Sequence, residues 1–231
     1  MSATPPARSR GDLVRTVVRG VGQTLITAGV VMLLFVVYTL YVTNVFAARD
    51  QAQLDDEITD LWAAPATSDL PGFGEAYARI YIPAVGLGMD EPSVVVQGVG
   101  VEDLKKGGPG HIPESQAPGE VGNTVLSGHR TTYGAPFADL GELAVGDEVI
   151  VETRTDFFTY TMTGSEIVRP SAIEVTYPVP GEFGAVPTQR LLTLTTCNPK
   201  YSARQRLVIR AELTATVPKA GGARPPALAA L

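Results

Sequence analysis

Little in this chain can cross-link or hold a metal. It has one cysteine, Cys197, so no disulfide can form within it. It has two histidines, His111 and His129, far apart and without paired spacing, a poor zinc set beside a single thiol. The acidic residues follow no calcium-loop pattern. Basic residues are also few: 18 Lys and Arg stand against 24 Asp and Glu, for a formal net charge of -6. That balance gives no electrostatic basis for nucleic-acid binding. Hydrophobic residues make up 45%, enough for a packed core and too few for a polytopic membrane protein. A length of 231 residues fits one membrane anchor and one domain of ordinary size.

Charge is missing altogether from Gly20 to Ala48. As a helix this run of roughly 29 residues would reach about 43 Å, longer than the ~30 Å hydrocarbon core. Its centre, Leu25 to Val37, is strongly apolar, and Tyr38 and Tyr41 stand near the far end, where aromatic rings favour the interface. A cleaved signal peptide fits less well, because the run exceeds an ordinary signal core and lacks a clear small-x-small site. Arg8, Arg10, Arg15 and Arg19 precede the run against Asp12 alone; Arg49 follows, then Asp50, Asp55, Asp56, Glu57 and Asp60. The positive-inside rule predicts a cytoplasmic tail over 1–19, a span over 20–48 and the rest outside the membrane.

Leu54, Ile58, Leu61 and Trp62 recur at helical spacing, which predicts an amphipathic helix over 50–62. Ala63 to Gly74, with Pro65 and Pro71, reads as a linker, so that 49–76 joins the span to a β-rich domain over 77–215. Candidate strands are Ala78–Pro83, Ser93–Gln97, Asn123–Ser127, Asp147–Thr153, Phe157–Thr163, Glu166–Arg169, Ala172–Thr176, Arg190–Cys197 and Arg206–Leu213. Many short strands in one moderate domain predict a closed barrel or a sandwich. Short helices are expected at Val101–Lys106 and near Pro136–Leu143. The Pro, Gly and Ala of 216–231 predict a disordered tail.

A lone extracytoplasmic cysteine is buried and inert, bonded to another chain, or kept for reactivity. Alternation along 190–197 puts Leu192 and Leu194 on one face and Thr193, Thr195 and Cys197 on the other. With the leucines in the core, the thiol points away from it at the strand's end, before the turn signal Asn198-Pro199. On the next strand Leu207, Ile209 and Ala211 share one face, and Arg206, Val208 and Arg210 the other. If the two strands are neighbours, Cys197 and Arg206 share a surface. A guanidinium there can donate to a peptide carbonyl and to an oxyanion; by pattern alone it also reads as a solvated edge residue. A cysteine nucleophile needs a proton-handling partner. His129, in Ser127-Gly128-His129-Arg130, follows an apolar strand, whereas His111 lies in a Gly-Pro loop suited to shaping a wall.

Thr193-Leu194-Thr195-Thr196-Cys197 resembles the TLxTC motif of sortases, and Arg206-Leu207-Val208-Ile209 resembles the basic strand that follows it there. Gly107 through Pro113, Gly119, Gly122, Asn123 and Ser127 to Arg130 resemble the approach to the sortase histidine. The similarity covers about 78–213. It implies an all-β fold, a closed eight-stranded sortase-type β-barrel with short helices, preceded here by one N-terminal transmembrane helix. It implies Cys197 as nucleophile, His129 as general acid and base, Arg206 as transition-state stabiliser, and no cofactor or metal. The implied reaction cuts a C-terminal sorting signal between Thr and Gly through a thioacyl-enzyme and passes the acyl group to an amine. The implied partners are surface proteins bearing LAxTG- or LPxTG-like signals, a peptidoglycan precursor amine and membrane lipid.

Ser127 to Phe137 and Cys197 to Ser202 look like class E, the housekeeping sortases of high-GC Gram-positive actinobacteria, which favour LAxTG. Pilus-building sortases usually carry an Asp-Pro-aromatic lid; Asp69-Leu70-Pro71 departs from it. By position Tyr177 to Thr188 resembles the loop that clamps the sorting signal. Tyr133, Thr195 and Thr196 are further candidates for contacting substrate, though strand packing accounts for the two threonines equally well. A pilus-polymerising sortase, a thiol hydrolase that releases peptides, and a non-enzymatic envelope protein that uses the barrel to bind are the competing readings.

Overall fold

The computed structural model describes residues 10–65 and 71–229. Arg8 and the Asp69-Leu70 pair, which entered the topology and lid readings, lie outside the described residues. The chain divides into two compact units, Met1–Val42 and Thr43–Leu231. In the first, helix α1 (Arg10–Val37) is long and apolar enough over Gly11–Val37 to cross a membrane, and its apolar part is unburied. It starts earlier than the charge-free run because Arg10, Arg15 and Arg19 are compatible with helix and mark only the end of the apolar part. A turn of π-helix, Tyr38–Val42, follows it.

The second unit opens with α2 (Thr43–Ala63), which begins before the predicted amphipathic helix. Leu54 and Ile58 are buried against Ala76, Val94 and Val96, with Trp62 at the margin; of the predicted apolar stripe, Leu61 alone is exposed. Gln51 replaces a strand neighbour: its Oε1 accepts from Val94 N–H at 2.7 Å, and its Nε2 donates to Val94 O at 3.3 Å and Lys106 O at 3.0 Å.

The barrel strands are β1 (Ala76–Tyr81), β2 (Ser93–Gln97), β3 (Gly110–His111), β4 (Gly122–Ser127), β5 (Glu148–Glu152), β6 (Asp156–Val168), β7 (Arg190–Asn198) and β8 (Gln205–Pro218). They close in the order β1-β2-β3-β4-β7-β8-β6-β5. Pairing is antiparallel except at β2–β3 and β4–β7. The interior is filled by Ile80, Leu126, Phe137, Tyr160, Leu192, Leu194, Ile209 and their neighbours. Of the helices between strands, α3 (Val101–Leu104) lies where one was expected, and the second is a single 3-10 turn, Leu140–Glu142.

Four expectations are corrected. Phe157–Thr163 and Glu166–Arg169 are one strand, because the Gly164 break is absorbed as a register shift against β8. Ala172–Thr176 is not a strand but a 3-10 turn, Ile173–Thr176; it is bracketed by Pro170 and Pro178, and of its side chains only Val175 is buried. The two-residue β3 carries no hydrophobic run, so periodicity could not reveal it. The tail is not wholly loose: β8 runs on to Pro218, and a turn at Pro226–Leu228 buries Leu228 to 2% exposure against Tyr81, Ile150 and Phe157.

Candidate active site

Three strand ends define the site. Parallel β4 and β7 pair Ser127 with Thr195, and His129 and Cys197 each follow two residues later. Both therefore leave the same end of the barrel. Antiparallel β8 brings Arg206 directly opposite Cys197, and side chains at such positions stand on one face with Cβ atoms about 4.5–5.5 Å apart. The faces divide as the alternation predicts: Leu192, Leu194, Leu207, Ile209 and Ala211 are in the core, with Cys197 and Arg206 on the other side. Cys197 is free and half-buried. Arg206 Nη1 donates to Ala203 O at 3.1 Å and Gln205 O at 3.0 Å. Among the described residues no carboxylate pairs with it, so its positive charge is not neutralised locally.

The His129 loop is tied to β7 from both sides of the histidine. Gly128 N–H donates to Thr195 O at 3.1 Å, and Thr196 Oγ1 donates to Gly128 O at 2.8 Å. Phe137 N–H donates to His129 O at 3.0 Å. A side chain at 128 would collide with the Phe137 ring at 2.8 Å, so glycine lets the loop lie on that buried ring. Burial lowers the His129 pKa below its ordinary value. Burial thus favours the neutral imidazole.

Arg130, which the sequence reading passed over, is the strongest tie. Its Nη1 donates to Cys197 O at 3.1 Å and to Asn198 Oδ1 at 2.6 Å, while its Nε is buried without a partner. One guanidinium thus joins the residue after His129 to the backbone of Cys197. The only sequence signal for this was a cation adjoining the candidate histidine.

The remaining candidates separate. Thr195 is half-buried and shares the Cys197 face. Thr196 is 2% exposed and points inward, so it fixes the histidine loop instead of lining a cleft. The Tyr133 ring lies 5.2 Å from the His129 ring. The Tyr177 to Thr188 loop is held at its start by Asn123, whose Nδ2 donates to Val175 O and Tyr177 O, both at 3.1 Å, while Thr193 Oγ1 donates to Asn123 Oδ1 at 2.8 Å. Farther along, Phe183 and Val186 are exposed. Beside it, Val179, Pro180, Leu191, Thr193 and Arg210 border a groove of about 300 Å³. His111 is structural: it stacks on Tyr77 at 4.4 Å, with Nδ1 2.8 Å from Gln97 Oε1 and Nε2 3.1 Å from both Gln116 O and Ser115 Oγ. Among the described residues no group of His, Cys, Asp and Glu is arranged to hold a metal ion.

A closed eight-stranded barrel sets a partly exposed thiol opposite an arginine, with a histidine at the adjoining strand end, an arrangement suited to thiol chemistry. The family model for the sortase domain matches residues 80–214, and the chain belongs to the sortase family, whose members are cysteine transpeptidases. Sortase SrtE1 of Streptomyces coelicolor is 34% identical over 220 residues, 91% of this chain; the chain spans only 60% of that relative's length. Sortase SrtE2 of the same organism is 33% identical over 237 residues, covering 95% of this chain and 90% of the relative. The solved sortase E from Streptomyces avermitilis is 41% identical with a TM-score of 0.59, over 68% of this chain and 99% of that one. The SrtF sortase from Corynebacterium diphtheriae is 32% identical with a TM-score of 0.66, over 71% and 97%. These likenesses place the chain with class E, as the residues flanking His129 and Cys197 predicted.

Proposed function

We propose that the chain is a membrane-anchored sortase that cuts an LAxTG- or LPxTG-like sorting signal between Thr and Gly and joins the Thr carbonyl to a peptidoglycan precursor amine. The observation that carries this reading is the cross-strand pair Cys197 and Arg206 with His129 at the adjoining strand end. A solved sortase E1 from Streptomyces coelicolor holds a tripeptide in its active site, which fits a peptide-binding role for the same region here.

In this reading Cys197 Sγ gives up its proton to His129 and attacks the Thr carbonyl carbon. An S–C bond forms, and the carbonyl oxygen becomes an oxyanion, which Arg206 stabilises by a charge-assisted hydrogen bond. The C–N bond to Gly breaks as His129 returns its proton to the departing amine. An incoming amine then attacks the thioester, its proton passes to His129, and the thiolate leaves. The imidazolium left beside the thiolate returns its proton to Cys197 Sγ, which restores the starting pair, and burial favours that neutral imidazole. The apolar part of α1 and the arginines at its N-terminal end support a single-pass anchor in membrane lipid, with a cytoplasmic N-terminus and the barrel outside.

The test incubates the full chain in detergent with LAxTG and LPxTG peptides and an amine, and weighs the products. The amine-joined peptide is expected. Free acid alone, in excess amine, would make the protein a hydrolase, and unchanged activity of Cys197→Ala would remove the thiol mechanism.

A further inference from the structure

The loop after His129 turns through three successive left-handed residues: Tyr133 (φ 52°), Gly134 (φ 76°) and Ala135 (φ 45°). Glycine adopts this backbone readily, whereas tyrosine and alanine are strained in it. Such a conformation persists only where its surroundings hold it. Inside the loop, Ala135 N–H donates to Thr132 O at 3.0 Å and Ala138 N–H to Ala135 O at 2.9 Å. Arg130 ties the start of the loop to β7, and α2 adds a bond at the left-handed turn itself. Gly134 N–H donates to Asn44 Oδ1 at 3.0 Å, and Asn44 is the second residue of α2.

The contact is backed by two close approaches. A Cβ at Gly134 would lie 2.9 Å from Gly107 O. A Cβ at Gly107, itself at φ 90°, would lie 2.8 Å from Ala47 Cβ and 2.9 Å from Ala47 O. Ala47 is buried and stands one helical turn beyond Asn44. The backbones of α2, the Gly107 segment and the histidine loop are thus stacked with no room for side chains between them. The helix end is itself fixed, by Gln51 on Val94 and Lys106 and by Leu54 and Ile58 in the barrel wall.

We propose that the first turn of α2, acting through Asn44, positions the His129 loop for catalysis. The helix is then part of the catalytic apparatus and not only a link to the anchor. Asn44 touches no reacting atom; it is a positioning residue. The proposal rests on reading His129 as the acid and base. Tyr133, whose ring faces His129, is bonded directly to Gly134, so release of Gly134 loosens the ring that flanks the imidazole.

The experiment measures kcat and KM of the full chain in detergent, with a sorting-signal peptide and an amine, for Asn44→Ala, Asn44→Asp and His129→Ala. Loss of one hydrogen bond predicts about a five-fold lower kcat for Asn44→Ala with KM unchanged and a melting temperature lower by roughly 2–4 °C. Asn44→Asp keeps an oxygen that accepts from Gly134 N–H and restores kcat, which a general loss of helix packing would not allow. Wild-type kcat in Asn44→Ala, or equal losses in Ala and Asp, would overturn the proposal. Activity surviving in His129→Ala would instead overturn the role of His129. An inactive His129→Ala beside a silent Asn44→Ala removes only the role of Asn44.

Discussion

Replacing Arg130 by Met keeps much of the apolar stem and removes the guanidinium. Two bonds are lost, to Cys197 O at 3.1 Å and Asn198 Oδ1 at 2.6 Å. A hydrogen bond from a charged group is worth about 1.5–3 kcal/mol net. Arg130 is half-buried and its Nε is already desolvated without a partner, so the lower end applies to each bond. The expected loss is about 3 kcal/mol. For a protein of this size that lowers the melting temperature by roughly 6–12 °C. The same bonds fix the Cys197 backbone relative to His129. If about half of their energy is felt in the transition state, kcat falls roughly tenfold. Lys at this position keeps the charge but lacks the planar fork that reaches both acceptors, so Arg130→Lys should fall between wild type and Arg130→Met. Circular dichroism melts and peptide turnover on the full chain in detergent measure both effects. A melting temperature within about 1 °C of wild type, together with wild-type kcat, would refute the idea that Arg130 couples the two strand ends.

Burial lowers the pKa of both His111 and His129, so each folded site favours the neutral ring. The unfolded chain binds more protons as pH falls below about 6.5, so this contribution to stability is present above that pH and is lost on acidification through the folded values. Melting temperature should drop between pH 7 and pH 5, and His111→Gln should flatten the drop; an equally steep drop in the variant would exclude His111 as a source. His111→Ala should cost stability through its lost contacts while the folded fraction keeps kcat/KM, since His111 serves Tyr77, Gln97 and Ser115 and not the thiol. Leu228→Ala should destabilise by about 2–4 kcal/mol in denaturant melts, because the side chain is enclosed by Tyr81, Ile150 and Phe157; no change would return the tail to the disordered state first expected of it. An Ala signal should exceed its Pro counterpart in kcat/KM, because alanine keeps an N–H that proline lacks; equal values would remove that specificity while leaving the chemistry in place.

Period-two alternation made the faces of β7 and β8 legible, because Leu192 and Leu194 must be buried and Cys197 must then face the other way. It also put Arg206 on the face of Cys197 on the condition that the two strands are neighbours, and the antiparallel β7–β8 register meets that condition. It failed at Ala172–Thr176, where β-branched residues mimic a strand but flanking prolines leave no partner to bond. The π turn and the early start of α2 were hidden because apolar residues continue past the end of α1 without a break in composition. Arg130 and Asn44 were illegible for another reason. Their partners lie 67 and 90 residues away in sequence, and only a closed barrel with a helix packed on it brings them together.

The most direct test of the central claim is the intact mass of the full chain quenched with acid during turnover of a sorting-signal peptide. A species heavier by the peptide's N-terminal fragment through Thr is expected, attached at Cys197, discharged by added amine and absent in Cys197→Ala. Arg206→Ala should form this species far more slowly while staying folded, because the oxyanion loses its cationic donor. Peptide cleavage without any adduct at Cys197, or an adduct forming at the wild-type rate in Arg206→Ala, would contradict that claim.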